Sequence, residues 1–212
     1  SYGPGFLTGG QSKNHTTRSM VDQTFKLDIN WQANHTHSIK TGLHYFNHDL
    51  KNEWYEIRNE FYNSGSDSAY VPEIFGDSSA YADVYSISPK EVAFYIQDKM
   101  EFDDMVINVG VRYDQFDPES VYPSDRRNPA NQLILPDSMM SLYPQAPVIS
   151  QISPRVGFAY QLGGQAVLHF SYGHFFQMPP MYAMYQNNSF LVDPNNFVTR
   201  MGNTLLEPEK TI

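Results

Sequence analysis

Residues 156–173 read VGFAYQLGGQAVLHFSYG, two alternating runs on either side of a Gly-Gly pair. Val156, Phe158, Tyr160 and Leu162 share one phase, and Arg155, Gly157, Ala159 and Gln161 share the other. Past the glycines, Leu168, Phe170 and Tyr172 alternate with Val167, His169, Ser171 and Gly173. A strand repeats its side-chain direction every second residue, and Gly163-Gly164 supplies the positive φ of a two-residue hairpin. The stretch therefore reads as a β-hairpin with one greasy face and one polar or small face. What decides the fold is the medium that the greasy face meets, a protein core or a lipid bilayer.

Composition narrows the choice. The chain has 212 residues, 41% of them hydrophobic, and its mean hydropathy is −0.48. No run of eighteen apolar residues occurs, which excludes a transmembrane helix but not a transmembrane barrel. Aromatic residues are abundant, with 15 Tyr and 14 Phe, and membrane barrels place such rings at both interfaces. A net charge of −9 argues against a nucleic-acid partner, which needs basic clusters. The absence of Cys removes disulfides and thiolate metal sites from consideration.

Four further runs alternate in the same way: Val21–Trp31, His37–Asp49, Glu91–Phe102 and Met105–Asp114. With the opening pair they make about six strands of about ten residues; tilted by ~40° and rising ~3.3 Å per residue, each climbs ~25 Å, the height of a barrel's apolar band. Short connections at QANHT, Asp103-Asp104 and Gly163-Gly164 alternate with long segments at Leu50–Lys90, Gln115–Ser153 and Phe175–Pro208. A compact soluble domain seldom carries such long structureless loops, whereas an outer-membrane barrel has short periplasmic turns and long extracellular loops. Strand charges fall mostly on the polar phase, as with Lys26, Asp28, Lys40, Lys99, Glu101, Arg112, Asp114 and Arg155. Asp98 departs by sharing its phase with Phe94, Ile96 and Met100, either as a rim charge or through a register break. Lipid is the better answer: an all-β, antiparallel up-and-down meander forming part of a transmembrane barrel.

VAFYIQDKMEFDDMVINVGVRYDQFDP (residues 92–118) resembles the recurring hairpin of TonB-dependent outer-membrane receptors, whose return strand reads Asn-x-Gly-x-Arg-Tyr-Asp. SPRVGFAYQL with AVLHFSYGHFFQMPP is similar to that family's next hairpin, and LLEPEKTI (205–212) to the start of the following strand. Together the matches run in family order over residues 90–212; residues 1–89 fit by pattern alone. The style of the loops is also similar to receptors with a carboxypeptidase-regulatory-like domain. The resemblance implies a Gram-negative outer-membrane receptor that sits in lipid and imports a scarce solute: an iron chelate, cobalamin, a glycan or a peptide. It implies that the TonB complex drives import through a plug domain. Plug and C-terminal strand have no counterpart here, so residues 1–212 are expected to be a partial barrel whose edge strands do not pair with each other. A passive porin and a soluble aromatic-rich β-sandwich are the alternatives.

Seven His invite a metal reading. His35 and His37 face opposite sides of an extended chain, and His44 and His48 share a phase but lie ~13 Å apart along it. His169 and His174 fall on different phases. Interfacial or lumen-lining roles suit them better, and neither metal nor cofactor is expected. Ser, His and Asp form no nucleophile elbow, and no Gly-rich phosphate loop leads into a helix, so no enzyme is expected. GDSSAYADVYS and FFQMPPMYAMYQNNSF read as extracellular loops. Within the second, Tyr182, Tyr185 and Phe190 are the candidates to stack on a ligand at the receptor's mouth.

Overall fold

The computed structural model describes residues 13–61, 71–131, 135–192 and 199–212. In chain order the strands are β1 (Asn14–Gln32), β2 (His37–Asn59), β3 (Pro72–Ile74), β4 (Ala82–Ile87), β5 (Lys90–Glu101) and β6 (Met105–Asp117). They continue as β7 (Ile149–Leu162), β8 (Ala166–Gly173), β9 (Phe175–Gln177) and, after the short helix α1 (Met181–Tyr185), β10 (Glu209–Thr211). The main sheet has eight strands, in the order β1-β2-β5-β6-β7-β8, with β3 and β4 added beside β2. All its pairings are antiparallel, and it curls as a half-barrel. A separate ribbon joins β9 to β10. Within the described residues β1 and β8 do not pair, and each borders the sheet.

Alternation sets the two faces. Leu27, Leu43, Phe94, Tyr113 and Ile152 stand side by side from β1 to β7. One residue along each strand, Asp28, Gly42, Tyr95, Arg112 and Ser153 form the matching row on the opposite face. The apolar face is bare: Trp31 is 61% exposed, Phe170 59% and Leu27 48%. A continuous apolar surface of this size belongs against lipid or another protein rather than water. On β6 the outward run Met105–Tyr113 rises about 20 Å at that tilt, close to a barrel's ~25 Å band. Above it Gln23, Asn47, Lys90 and Asp117 make a polar outward row that closes the band.

The short turns gather at one edge. Glu101 N–H donates to Thr36 O at 2.8 Å and Gln161 N–H to Asp104 O at 2.8 Å, which ties neighbouring turns together. The long connections leave from the other edge, because consecutive strands in this meander are antiparallel neighbours.

Four sequence readings need correction or completion. The Gly-Gly hairpin pairs Leu162 with Ala166, so three residues (Gly163, Gly164 and Gln165) lie between the strands. Two residues would set Leu162 against Gln165 and throw Leu168, Phe170 and Tyr172 out of phase with Phe158 and Tyr160. The greasy face thus fixes the register, and φ of +56° and +76° at the glycines accommodates it. Secondly, β1 and β2 run for 19 and 23 residues, about 60 and 75 Å, far beyond the band. Thirdly, GDSSAYADVYS is no free loop: β4 pairs Ala82–Ile87 with Tyr55–Leu50 of β2. Lastly, β5 pairs without a register break, so Asp98 does face outward; its Oδ2 lies 2.6 Å from Nδ1 of His37, near the turns.

The faces predict opposite outcomes for one chemical change. Val111→Arg, in the outward run between Ile96 and Pro154, should cost about 2–4 kcal/mol of folding stability in a bilayer, whereas Asn47→Arg in the polar row should cost about 0–1 kcal/mol. Denaturant titration of the full-length barrel in lipid vesicles measures both; equal costs would place the apolar face away from lipid.

Candidate functional site

The inner face of the half-barrel encloses a concavity of about 820 Å³, with Lys26, Lys40, His44, Tyr95, Arg112 and Arg155 among its walls. Each of these side chains is there because its phase is opposite to the lipid-facing one. Asp28 is the hub of the wall. Its carboxylate accepts from Tyr95 Oη at 2.6 Å, pairs with Lys26 Nζ at 3.0 Å and lies 3.4 Å from His44 Nε2. Asp28 on β1 reaches Tyr95 on β5 across β2 because Gly42 stands between them. A Cβ there would come within 2.5 Å of both Asp28 Oδ1 and Tyr95 Cε1.

A cap of loops covers the inner face beyond the band. Phe116, Met184 and Tyr185 form its buried centre, packed against Leu50, Tyr85, Ile87, Ile149 and Leu206. Apolar side chains on the inner phase of β2, β4 and β6 thus find partners in the α1 segment rather than in water. Hydrogen bonds interlock the segments. Tyr185 Oη donates to Pro118 O at 3.0 Å, Ser120 Oγ to Asn188 Oδ1 at 3.0 Å, and Thr204 Oγ1 to Val121 O at 3.0 Å. Asn187 N–H donates to Asp83 Oδ2 at 3.0 Å, tying the same segment to β4.

The candidate aromatic residues sit in three different settings. Tyr182 is 64% exposed, on the solvent side of α1. Tyr185 is buried, and that burial pushes its phenol pKa well up. Phe190 is buried too, stacked on Tyr143 with ring centroids 5.4 Å apart and planes 11° from parallel. Burial also raises the Tyr143 phenol. The sheet, its inverted faces and the loop cap agree with what a family comparison finds: the profile described as "TonB dependent receptor-like, beta-barrel" matches residues 1–212. The chain belongs to this TonB-dependent receptor family. A search of curated proteins finds no match. The family consists of outer-membrane transport receptors of Gram-negative bacteria and is not an enzyme family.

In the receptor three histidines, His37, His44 and His48, each face a carboxylate. His48 Nδ1 lies 2.7 Å from Asp22, its Nε2 3.5 Å from Glu91, and its ring stacks on Phe46. His44 turns to Asp28, His37 to Asp98 on the outer face, and His174 Nε2 to Tyr172 Oη at 2.7 Å. Among the described residues no three His, Asp or Glu side chains converge to hold a metal ion. Sequence reading missed Asp83, Asn187 and Asn131. Asn131 bonds both the N–H (2.6 Å) and the C=O (3.0 Å) of Ser141, and its φ is +51°. Its only sequence signal was an Asn in a Pro-rich stretch, where Asn tolerates positive φ.

Asp83 gives the cap a pH dependence. Burial raises its carboxyl pKa, while the Asn187 and Asn188 N–H groups and Arg18 pull it back down. With the pKa raised in the docked state, docking binds the proton more tightly than release does. Its contribution is therefore fully present in acid and is lost as pH rises from the ordinary value of 3.8 through the raised one. Protection of the residue 186–190 amides, taken relative to their intrinsic exchange rate at each pH, should rise in the whole receptor on acidification across that window. Asp83→Asn, which keeps an acceptor without charge, should abolish the pH dependence. Asp83→Ala should speed exchange about tenfold by orphaning buried N–H groups.

Proposed function

We propose that this barrel serves the uptake of a scarce solute, whether an iron chelate, cobalamin, a glycan or a peptide. In that reading the TonB complex supplies the energy through the plug domain of the whole receptor. The supporting observation is the division of the sheet: an apolar outward face, a polar inner wall around a concavity, and interlocked loops at the rim opposite the short turns. A lumen lined by polar groups but covered by a packed cap suits selective, gated passage better than an open pore.

Within that reading, ligand stacking at the mouth falls first to Tyr182, whose ring is free to receive a planar or apolar group. Tyr185 and Phe190 support the segment that presents it, and they meet a ligand only when the cap opens. The subgroup with a carboxypeptidase-regulatory-like domain remains the proposed affiliation.

Uptake by cells carrying the full-length receptor should stop when the inner-membrane TonB complex is inactivated; uptake that continues unchanged would favour the passive porin. Once the solute is identified by that assay, Tyr182→Ala should weaken its binding about tenfold, in keeping with ~0.5–1.5 kcal/mol for an aromatic pair. Tyr185→Phe should leave affinity nearly unchanged while loosening the cap through loss of the bond to Pro118 O.

A further inference from the structure

Several cations of the inner wall are paired with a carboxylate. Asp28 is met by Lys26 at 3.0 Å and Asp114 by Arg112 at 2.8 Å, each from two residues along the same strand; Glu101 is met by Lys99 in the same way. Asp22 and Glu91 flank His48. Lys40 and Arg155 are different. Among the described residues neither has a carboxylate partner, and each lies over an aromatic ring instead. Lys40 Nζ is 5.9 Å from the centroid of Tyr95, and Arg155 Cζ is 5.0 Å from that of Phe175. A ring face steadies a cation without neutralising it, so two full positive charges look into the concavity.

Sheet register puts both on one row. Lys40 pairs with Gln97, Gln97 with Gly110, and Gly110 with Arg155. Three strand spacings separate their backbones by about 14 Å along the concave side of the curled sheet. Between them Gly110 adds no side chain, and it could not: a Cβ would stand 2.8 Å from Gln97 Cβ and 3.1 Å from Ile96 O. The floor between the cations is therefore backbone plus one neutral amide. Both cations and this floor line the concavity described above.

We propose that the Lys40–Gly110–Arg155 row is an anion-binding subsite on the lumen wall, for a solute with at least two phosphate or carboxylate groups. Arg155 offers the planar fork that matches such oxygens, Lys40 a point charge for the second group, and Gln97 an amide donor between them. The subsite deepens the transport reading and rests on it, since a solute crossing this lumen passes the row.

Calorimetric titration of the full-length receptor in detergent with inorganic tripolyphosphate tests the subsite. Wild-type receptor should bind it, and binding should weaken as salt is raised. Lys40→Gln and Arg155→Gln should each weaken it several-fold, and together at least tenfold. Arg155→Lys should restore part of the loss, and Lys99→Gln, which alters a balanced pair outside the concavity, should leave binding unchanged. Heat-modifiable migration verifies that each variant is folded. Absence of binding to folded wild-type receptor, or full binding by the double variant, would overturn the subsite. Orthophosphate should bind more weakly than tripolyphosphate; equal affinities would show that one cation acts alone and overturn the paired site. The uptake assay without TonB fails or succeeds independently of these titrations, so the two readings separate.

Discussion

Hydrocarbon offers no hydrogen-bond partner, and that single constraint organises the molecule. Every backbone group at membrane depth must bond to a neighbouring strand, so the chain crosses as long antiparallel strands in a continuous ladder. Once the ladder exists, period-two alternation leaves no freedom: apolar side chains go outward, and charge goes to the inner wall. The departure at Asp98 follows the same logic. Its carboxylate lies within hydrogen-bonding distance of His37 on the adjacent strand, so the outward face carries it as one half of a pair. A lone carboxylate on that face would have been far more costly.

Because the sheet spends its apolar residues on lipid, it cannot also use them for a core. The buried apolar cluster therefore lies elsewhere, where Phe116, Leu50, Tyr85 and Ile87 on the inner phase beyond the band meet Met184 and Tyr185. Inside the band the wall is held by polar contacts such as the Asp28–Tyr95 bond, which passes over Gly42. Glycine at this position leaves the gap through which strands β1 and β5 communicate across β2.

Much of this was legible in the sequence, for a physical reason: alternation is local. Phe25, Leu27 and Ile29 show their face without reference to any other strand. The strand ends were harder. Beyond the band neither face of the β1–β2 extension meets lipid, so residues such as Lys51, Asn52 and Glu53 carry no alternating signal, and β4 passed for a loop. The three-residue turn at Gly163 was recoverable, since the phase of Leu168 against Tyr160 requires an odd connection. The site was less legible than the fold. Tyr182, Tyr185 and Phe190 look alike as loop aromatics, and only the packing of α1 separates an exposed ring from buried ones. Lys40 and Arg155 are also ordinary as letters; their shared row depends on register across three pairings, which no local pattern carries.

The division between band and cap also bears on how the receptor can move. The hydrogen bonds that dock the cap fall on Asp83, Pro118, Ser120 and Val121, all in β4 or in the connection after β6. None of them is a ladder bond of the membrane-crossing strands. Releasing the α1 segment would expose a modest apolar cluster and a few hydrogen-bonding groups, while the ladder that runs from β1 through β2, β5, β6 and β7 to β8 stays intact. Local opening of this kind costs only part of the global unfolding free energy. Lipid-imposed rigidity below and a separately held cap above therefore let access to the lumen change without disturbing the wall that makes the barrel a barrel.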